Sequence, residues 1–129
     1  MGTPFRGYEV RVPGLAAGAD LSANQYRFVK PGATADQVVA IAAATDKPIG
    51  VQYDTPDAAG KAAEVVVAGI VEVMAGAAVA YGAEVQTDAQ GRAITIAVTG
   101  TVVGRALQAA GAAGDRIAVL LNCVGGRVA

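Results

Sequence analysis

A run of β-branched residues dominates the middle of the chain. Glu64–Val73 reads EVVVAGIVEV, and the short apolar segment Ile49–Tyr53 precedes it across a Pro- and Gly-marked turn at Asp54–Gly60. Val and Ile are stiff at χ1 and pack well on a pleated sheet, so both segments are predicted to be strands. Gly69 interrupts the long run, which predicts a bulge or a sharp bend at that point.

A shortened copy of this strand-turn-strand unit follows at Val102–Leu121. The chain is therefore predicted to contain two related halves, joined by the Ala- and Gly-rich segment Ala75–Ala83. The two copies align at three places, namely Ile49-Gly50-Val51 with Val103-Gly104-Arg105, Ala59-Gly60 with Ala113-Gly114, and Val65-Val66-Val67 with Ile117-Ala118-Val119.

The remaining segments complete an all-β pattern. Thr34–Thr45 is ambiguous, because Thr34 and Gln37 fit the capping box of a helix. The corresponding segment of the second half has a hairpin turn at Gln90-Gly91, which favours a strand at Gln37–Ala43. Further strands are predicted at Tyr26–Val29, with Tyr26 and Phe28 on one face, at Glu84–Thr87 and at Ile94–Ile96. Strands that recur every 8–12 residues or so predict a small antiparallel β-barrel or sandwich.

The first 19 residues differ from the rest, because Pro and Gly punctuate them without a helical period. Tyr8–Val12 alternates apolar and charged residues, which predicts one short strand with Tyr8, Val10 and Val12 on one face. This strand is either an edge strand of the domain itself or an extended arm that adds to a neighbouring sheet. We expect an arm at residues 1–19, a domain at 20–122 and a loose tail at 123–129.

Composition predicts an oligomer. The hydrophobic fraction is 53%, but it consists mostly of Ala and Val, and aromatic residues make up only 5%. Burial contributes about 25 cal/mol per Å² of apolar surface, so an Ala-rich core gains little stability per residue. Subunit contacts are therefore expected to supply part of the stability, although a monomer with a sufficient Val/Ile/Leu core remains an alternative.

Residue usage excludes the common classes of reactive site. The chain has no histidine and one cysteine, Cys123, which rules out His-dependent nucleophiles, an internal disulfide and a zinc site. The ten basic residues are scattered and the net charge is −1, so no track for nucleic acid is expected. With no apolar run of about 20 residues and no apolar leader, we expect a protein that neither spans a membrane nor is exported.

Two weaker motifs carry no chemistry. Gly60-Lys61 follows a polar loop, as in a phosphate-binding loop, but Thr55 stands where that motif needs Gly and Ala62 where it needs Ser or Thr. Carboxylates crowd the turns of the first half, where Asp is a common turn residue, so they are interpreted as structural. These carboxylates are Asp46, Asp54 and Asp57. We therefore predict no enzyme activity, no metal and no cofactor.

The order of the motifs resembles that of the small cement, or decoration, proteins of tailed-phage capsids. The resemblance spans roughly residues 15–122. It is carried by Asp20-Leu21-Ser22-Ala23 before the Tyr26–Val29 strand, Lys47–Val51, Ala58–Gly60, Ala62–Gly69, Ala75–Val79, Asp88–Ala93, Val102–Gly104 and Gly114–Ile117.

The resemblance implies a β-tulip-like domain that forms a homotrimer on the outer surface of a phage head. It would sit at three-fold or quasi-three-fold positions, bind the major capsid protein and stabilise the shell, after assembly in the host cytoplasm. In related systems a flexible N-terminal arm orders against the shell. Here that implies capsid contacts from Thr3, Pro4, Phe5, Tyr8, Val10 and Val12.

Three other functions stay open. The protein could be a tail-tube component or the base of a head fibre, which are also phage structural proteins. Thr45-Asp46-Lys47 is similar to the lysine-bearing hairpin of lipoyl and biotinyl carrier domains, but Pro48 disturbs the symmetrical turn of those domains.

Overall fold

A computed structural model describes residues 4–12, 14–97 and 100–123. None of these residues is helical, which confirms the all-β prediction and excludes the helix considered for Thr34–Thr45. The strands of the described part are β1 (Gly7–Val12), β2 (Ala16–Ala17), β3 (Phe28–Pro31), β4 (Gln37–Ala40), β5 (Gly50–Gln52), β6 (Val65–Met74), β7 (Glu84–Thr87), β8 (Ala93–Thr95), β9 (Gly104–Ala106) and β10 (Arg116–Asn122).

The strands form one sheet with the order β2-β4-β3-β5-β6-β10-β9-β7-β8, and β1 pairs with β6 off this path. The order does not close on itself, so the sheet is an open one rather than a closed barrel. The path is symmetrical about the antiparallel β6–β10 pair, because β4-β3-β5-β6 is mirrored by β8-β7-β9-β10. The two predicted halves are therefore present, and we call β3–β6 the first unit and β7–β10 the second unit.

The register of the strands repeats between the units. Val29 pairs with Gly50 in the first unit, as Val85 pairs with Gly104 in the second. Val65 pairs with Gln52 and Val119 pairs with Ala106, so Val65 and Val119 are equivalent. The sequence alignment of Val65 with Ile117 is thus wrong by two residues. A two-residue slip preserves the alternation of faces, so a string of Val and Ala cannot reveal it.

Two glycines hold equivalent close contacts. A β carbon at Gly50 would collide with the carbonyl oxygen of Val66, and one at Gly104 would collide with that of Leu120. At both positions the neighbouring strand approaches so closely that only glycine fits. The alignment of Gly50 with Gly104 from the sequence is therefore confirmed.

The turns before the last strand of each unit also match. Gly60 and Gly114 have φ of +88° and +93°, a backbone conformation that glycine adopts without a steric penalty. The amide of Gly60 donates to the carbonyl of Ala17, and that of Gly114 donates to the carbonyl of Ala75. These shared bonds tie each turn to the segment that precedes its unit.

The predicted break at Gly69 is confirmed. Val66 and Val71 both lie in the main apolar core, although they are five residues apart on β6. Successive side chains of a regular strand alternate between faces, so an odd spacing would place them on opposite sides. Gly69 has φ of +101°, and β1 pairs with β6 across register shifts beside it. The irregularity at Gly69 therefore reverses the faces of β6.

Two apolar clusters occupy opposite faces of the first unit's sheet. The larger one, which we call the main core, contains Phe28, Val51 and Val66 of the first unit together with the second unit's inward side chains. The smaller one, the minor core, contains Ala17, Leu21, Val29, Val38, Ala63 and Val65. Cys123 lies buried in the main core directly after β10.

Local predictions differ from the structure at few points. The strand predicted at Tyr26–Val29 begins only at Phe28, because Tyr26 adopts φ of +63° and its amide donates to the carbonyl of Gln52. The hairpin turn at Gln90-Gly91 is confirmed between β7 and β8, with Gly91 at φ of +79°. Except for Cys123, the predicted tail at 123–129 lies outside the described residues.

Candidate interaction surface on the N-terminal strand

The strand of the arm lies on its own domain. β1 pairs antiparallel with β6, from Gly7 opposite Ile70 to Val12 opposite Val65. Of the two interpretations from sequence, the edge strand of the domain is therefore the arrangement in this structure. Among the described residues β1 pairs with β6 alone, so its other edge presents main-chain donors and acceptors that no described strand uses.

The arm exposes three apolar side chains. Tyr8 is 94% exposed, Val10 53% and Phe5 46%, whereas Pro4 and Val12 are partly buried. Of the six arm residues predicted to contact a partner, Thr3 lies outside the described residues and the structure places Phe5, Tyr8 and Val10 at the surface. A single isolated apolar side chain on a surface is ordinary, but here two lie on β1 and the third lies just before it, which makes the arm a candidate contact surface.

Val12 does not share the face of Val10, contrary to the alternation read from the sequence. Val10 lies opposite Ala68 and Val12 lies opposite Val65, with register shifts on either side of Val10. Ala68 and Val65 are three residues apart on β6, and residues an odd number apart on a strand point to opposite faces. Val10 and Val12, which lie opposite them, therefore also point to opposite faces. The irregularities of the β1–β6 pair, which the alternating sequence does not encode, therefore turn Val12 towards the domain.

Stacked arginines and tyrosines attach the arm to the first unit. The guanidinium carbons of Arg6 and Arg11 lie 4.5 Å and 4.6 Å from the ring centre of Tyr53. Tyr26 meets Tyr53 edge to face at 5.9 Å, and Arg116 of β10 lies 4.9 Å from the ring centre of Tyr26. We call these five residues the arginine–tyrosine row. Each exposed cation–π contact contributes about 0.5–1 kcal/mol, so the row holds the arm firmly only as a whole.

Ion pairs add a second set of weak contacts. Arg11 donates to the carboxylate of Glu64 and also to Glu9 at 3.4 Å. The hydrogen bond to Glu64 is the main cause that raises the pKa of Arg11 above its ordinary value. Ion pairs this exposed contribute about 0–1 kcal/mol each. The side-chain contacts of the arm are thus several and individually small, whereas the β1–β6 ladder supplies the continuous contact.

The carboxylates considered as chemical groups all have structural partners. Asp54 accepts the amide of Glu64 at 3.0 Å, and Asp57 pairs with Lys61 at 2.6 Å. Asp46 accepts Lys30 at 2.8 Å and the amides of Ala42 and Ala43. The Lys30 bond, followed by the two amides, lowers the pKa of Asp46 to about 2. Their interpretation as turn residues is confirmed.

The described part of the chain offers no metal site. No group of three or more His, Cys, Asp or Glu side chains lies close enough there to hold an ion. Burial raises the pKa of the Cys123 thiol to about 12, so the thiolate needed for nucleophilic chemistry is not formed near neutral pH. Within the described ranges, moreover, no helix has the length and apolar character needed to cross a membrane.

A family model for phage cement proteins matches residues 17–121. The chain belongs to the phage cement protein family. As a cement protein it is a structural component of the phage particle, associated with the capsid. The family match begins at β2, so the arm and β1 lie outside it.

The fold also matches a known structure. The cement protein is similar to the N-terminal base of the head fibre protein gp8.5 of bacteriophage phi29, with a TM-score of 0.67 and 19% identity. The match covers 88% of this chain and 94% of that one, so the likeness of fold extends over nearly the whole of both. No curated protein sequence matches the chain.

Proposed function

We propose that this cement protein decorates the outside of a phage head as a homotrimer at three-fold or quasi-three-fold positions. It contacts the major capsid protein there and stabilises the shell, after assembly in the host cytoplasm. Family membership over residues 17–121 supports a role on the capsid. The polar side chains of the described part serve turns, strand ends and ion pairs, which suits a structural protein better than an enzyme.

The observation that carries the proposal is the open edge of β1. A strand of a capsid subunit can add to that edge while β1 stays on β6. Main-chain hydrogen bonds then supply affinity, and the exposed Phe5, Tyr8 and Val10 supply specificity. A trimer that engages three such sites binds tightly even when each strand binds weakly.

The test is binding to empty, expanded heads of the parent phage by co-sedimentation. We expect Tyr8→Asp to weaken binding more than about tenfold, which corresponds to about 1.4 kcal/mol, because it puts a charge on the added edge. Tyr81→Asp is the matched control, since Tyr81 is 73% exposed and lies on the linker between the units. Light scattering on both variants verifies that the oligomer is unchanged. Equal binding by the two variants would refute a contact through β1.

A second candidate function is the base of a head fibre. The specific observation in its favour is that the chain covers 94% of the phi29 fibre base and shares its fold. Electron microscopy of decorated heads separates the two functions, because a fibre base carries additional density that projects from the head. Nothing in the structure favours a tail-tube component or a lipoyl or biotinyl carrier. An intact mass without an adduct at the exposed Lys47 would exclude the carrier.

A further inference from the structure

The two units have the same core. Each residue of the minor core has an equivalent residue in the second unit, as judged from the repeated strand register. All of these equivalent residues lie in the main core. The matching pairs are Ala17 with Ala75, Leu21 with Val79, Val29 with Val85, Val38 with Ala93, Ala63 with Ile117 and Val65 with Val119. Each unit therefore packs its own apolar layer against the same face of its sheet.

The two layers differ in how well they are covered. Val73, Val103 and Leu121 of the second layer are 0–3% exposed, and the first unit's Phe28, Val51 and Val66 lie in the same cluster with them. Their counterparts in the first layer, by register and by main-chain bonds, are Leu15, Ile49 and Val67, and these remain only partly buried. The first unit covers the second layer, and no described element covers the first layer in the same way.

β1 is the only described element in the position of a preceding unit. Ala68 of the first unit is equivalent to Asn122 of the second unit. Asn122 pairs with Ala68 of β6, and Ala68 in turn pairs with Val10 of β1. β1 therefore takes, beside the first unit, the place that the second half of β6 takes beside the second unit. However, the described residues include no strands next to β1 that would correspond to β5 and β3. Beside β1 a groove of about 500 Å³ opens over Leu15 and Ala63, and its rim carries Arg11, Glu64 and Asp54.

We propose that this groove receives the outer face of β9 and β10 of a second copy of the chain. On that face Leu120, Arg105 and Glu84 stand at the positions that Val66, Val51 and Phe28 hold in the first unit. The second copy thus presents the same backbone surface that already covers the second layer within one chain. Leu120 is 47% exposed and supplies the apolar group that enters the groove.

Charge is compatible with the same occupant. The outer face carries Arg105 and Glu84, and the lining of the groove includes the carboxylates of Glu64 and Asp54 together with Arg11. Both surfaces thus carry charges of both signs, so opposite charges are available on the two sides of the contact. The contact is head to tail, so it closes into a ring when the rotation between copies allows. This contact between copies rests on the proposed function in one respect, because it is the contact that would hold the proposed homotrimer together.

Cross-linking between two single-cysteine variants tests the contact without phage heads. Ala62→Cys lies at the groove and Arg105→Cys on the outer face, and both positions are exposed, so neither change disturbs the core. Cys123 is buried and stays unreacted. One variant carries a mass tag, so that the heterodimer and the two homodimers can be told apart. Under mild oxidation of the mixture, we expect the heterodimer to form at least about tenfold faster than either homodimer. Equal rates would overturn the proposal.

Leu120→Lys supplies a second, independent measurement. We expect the wild type to scatter light as an oligomer at micromolar concentration and Leu120→Lys as a monomer, because the charge would enter an apolar groove. Ala113→Lys is the control, since it adds the same charge at an exposed turn. An oligomer of unchanged mass in Leu120→Lys, or a monomeric wild type, would contradict the contact. Head binding by Tyr8→Asp that equals that of Tyr81→Asp, while the cross-link persists, would instead contradict the proposed function alone.

Discussion

The main chain of Tyr8 crosses β6 directly over Gly69, where a β carbon would collide with the Tyr8 carbonyl oxygen. Both residues are in the left-handed region at this crossing, with φ of +51° for Tyr8 and +101° for Gly69. The same glycine reverses the faces of β6 between Val66 and Val71. One missing side chain therefore sets both the path of the long strand and the place where the arm lies on it.

We expect Gly69→Ala to loosen the arm. The added methyl group has to displace the Tyr8 main chain, and it strains a backbone at positive φ, which together cost about 1–3 kcal/mol of unfolding free energy. Hydrogen exchange of a peptide covering residues 7–12 checks the effect, because those amides should exchange faster. Gly111→Ala is the control, since its β carbon would only touch Asp115 at ordinary contact distance. Unchanged protection of β1 would contradict the role given to Gly69.

The repeat predicts that Gly50→Ala and Gly104→Ala destabilise the protein to a similar extent. Each β carbon would collide with a main-chain carbonyl of the adjacent strand, and backbone cannot move aside as a flexible side chain does. Losses of about 2 kcal/mol or more are expected in urea unfolding for both, as for other changes that overpack a core. Gly7→Ala should be neutral, because its β carbon would only touch the Ile70 side chain at an ordinary contact distance. A tolerated substitution at only one of the two sites would argue against their equivalence.

Removing the central ring of the arginine–tyrosine row is expected to free the arm without unfolding the domain. Tyr53→Leu deletes the ring on which Arg6 and Arg11 stack, a loss of about 1–2 kcal/mol for two exposed cation–π contacts. Hydrogen exchange should rise in β1 and stay unchanged in β9 and β10. Tyr81→Leu provides the comparison, because it removes an exposed ring that has no such contact among the described residues. A uniform rise across all strands would show that Tyr53 supports the whole fold instead.

The Asp46–Lys30 pair predicts an acid-sensitive part of the stability. The pKa of Asp46 falls from 3.8 to about 2 on folding, so the folded state binds this proton less readily than the unfolded state. The stabilisation is therefore complete above about pH 4 and is lost as the pH falls through about 2. Asp46→Asn should lower the urea midpoint at neutral pH and flatten its fall over that interval.

Urea midpoints of the wild type and the variant at about pH 7, 4 and 2 check this dependence. Asp36→Asn is the control, because the exposed Asp36 uses only its main-chain carbonyl, which accepts the amide of Ala16, and its carboxylate makes no hydrogen bond in the described part of the chain. Parallel curves for the wild type and Asp46→Asn would mean that the pair does not contribute to stability.

Local sequence patterns were sufficient for the elements whose signals are short in range. Glu84–Thr87 was predicted with the bounds that β7 has, and the turn at Gln90-Gly91 follows from a glycine that the hairpin needs at positive φ. Tyr26 shows the limit of such patterns. Its aromatic side chain favours a strand, but its contact with Tyr53 and its amide bond to Gln52 hold it in a turn.

The candidate surface was only partly readable in advance. Phe5, Tyr8 and Val10 are exposed as an interacting arm requires, but the irregular pairing with β6 turns Val12 away from them. The uncovered side of the first unit had no signal in the sequence. It became visible only when the equivalence of the two units showed which apolar side chains lack a cover.

The sequence by itself determined that this chain is all-β and doubled, because strand period and turn glycines are local properties. Only the tertiary structure decided that β1 lies on β6 and that no described element covers one face of the first unit. The physical reason is that main-chain groups at a strand edge are the same in every sequence. Which edges pair is therefore settled by how distant side chains pack, as Gly69 beneath Tyr8 illustrates.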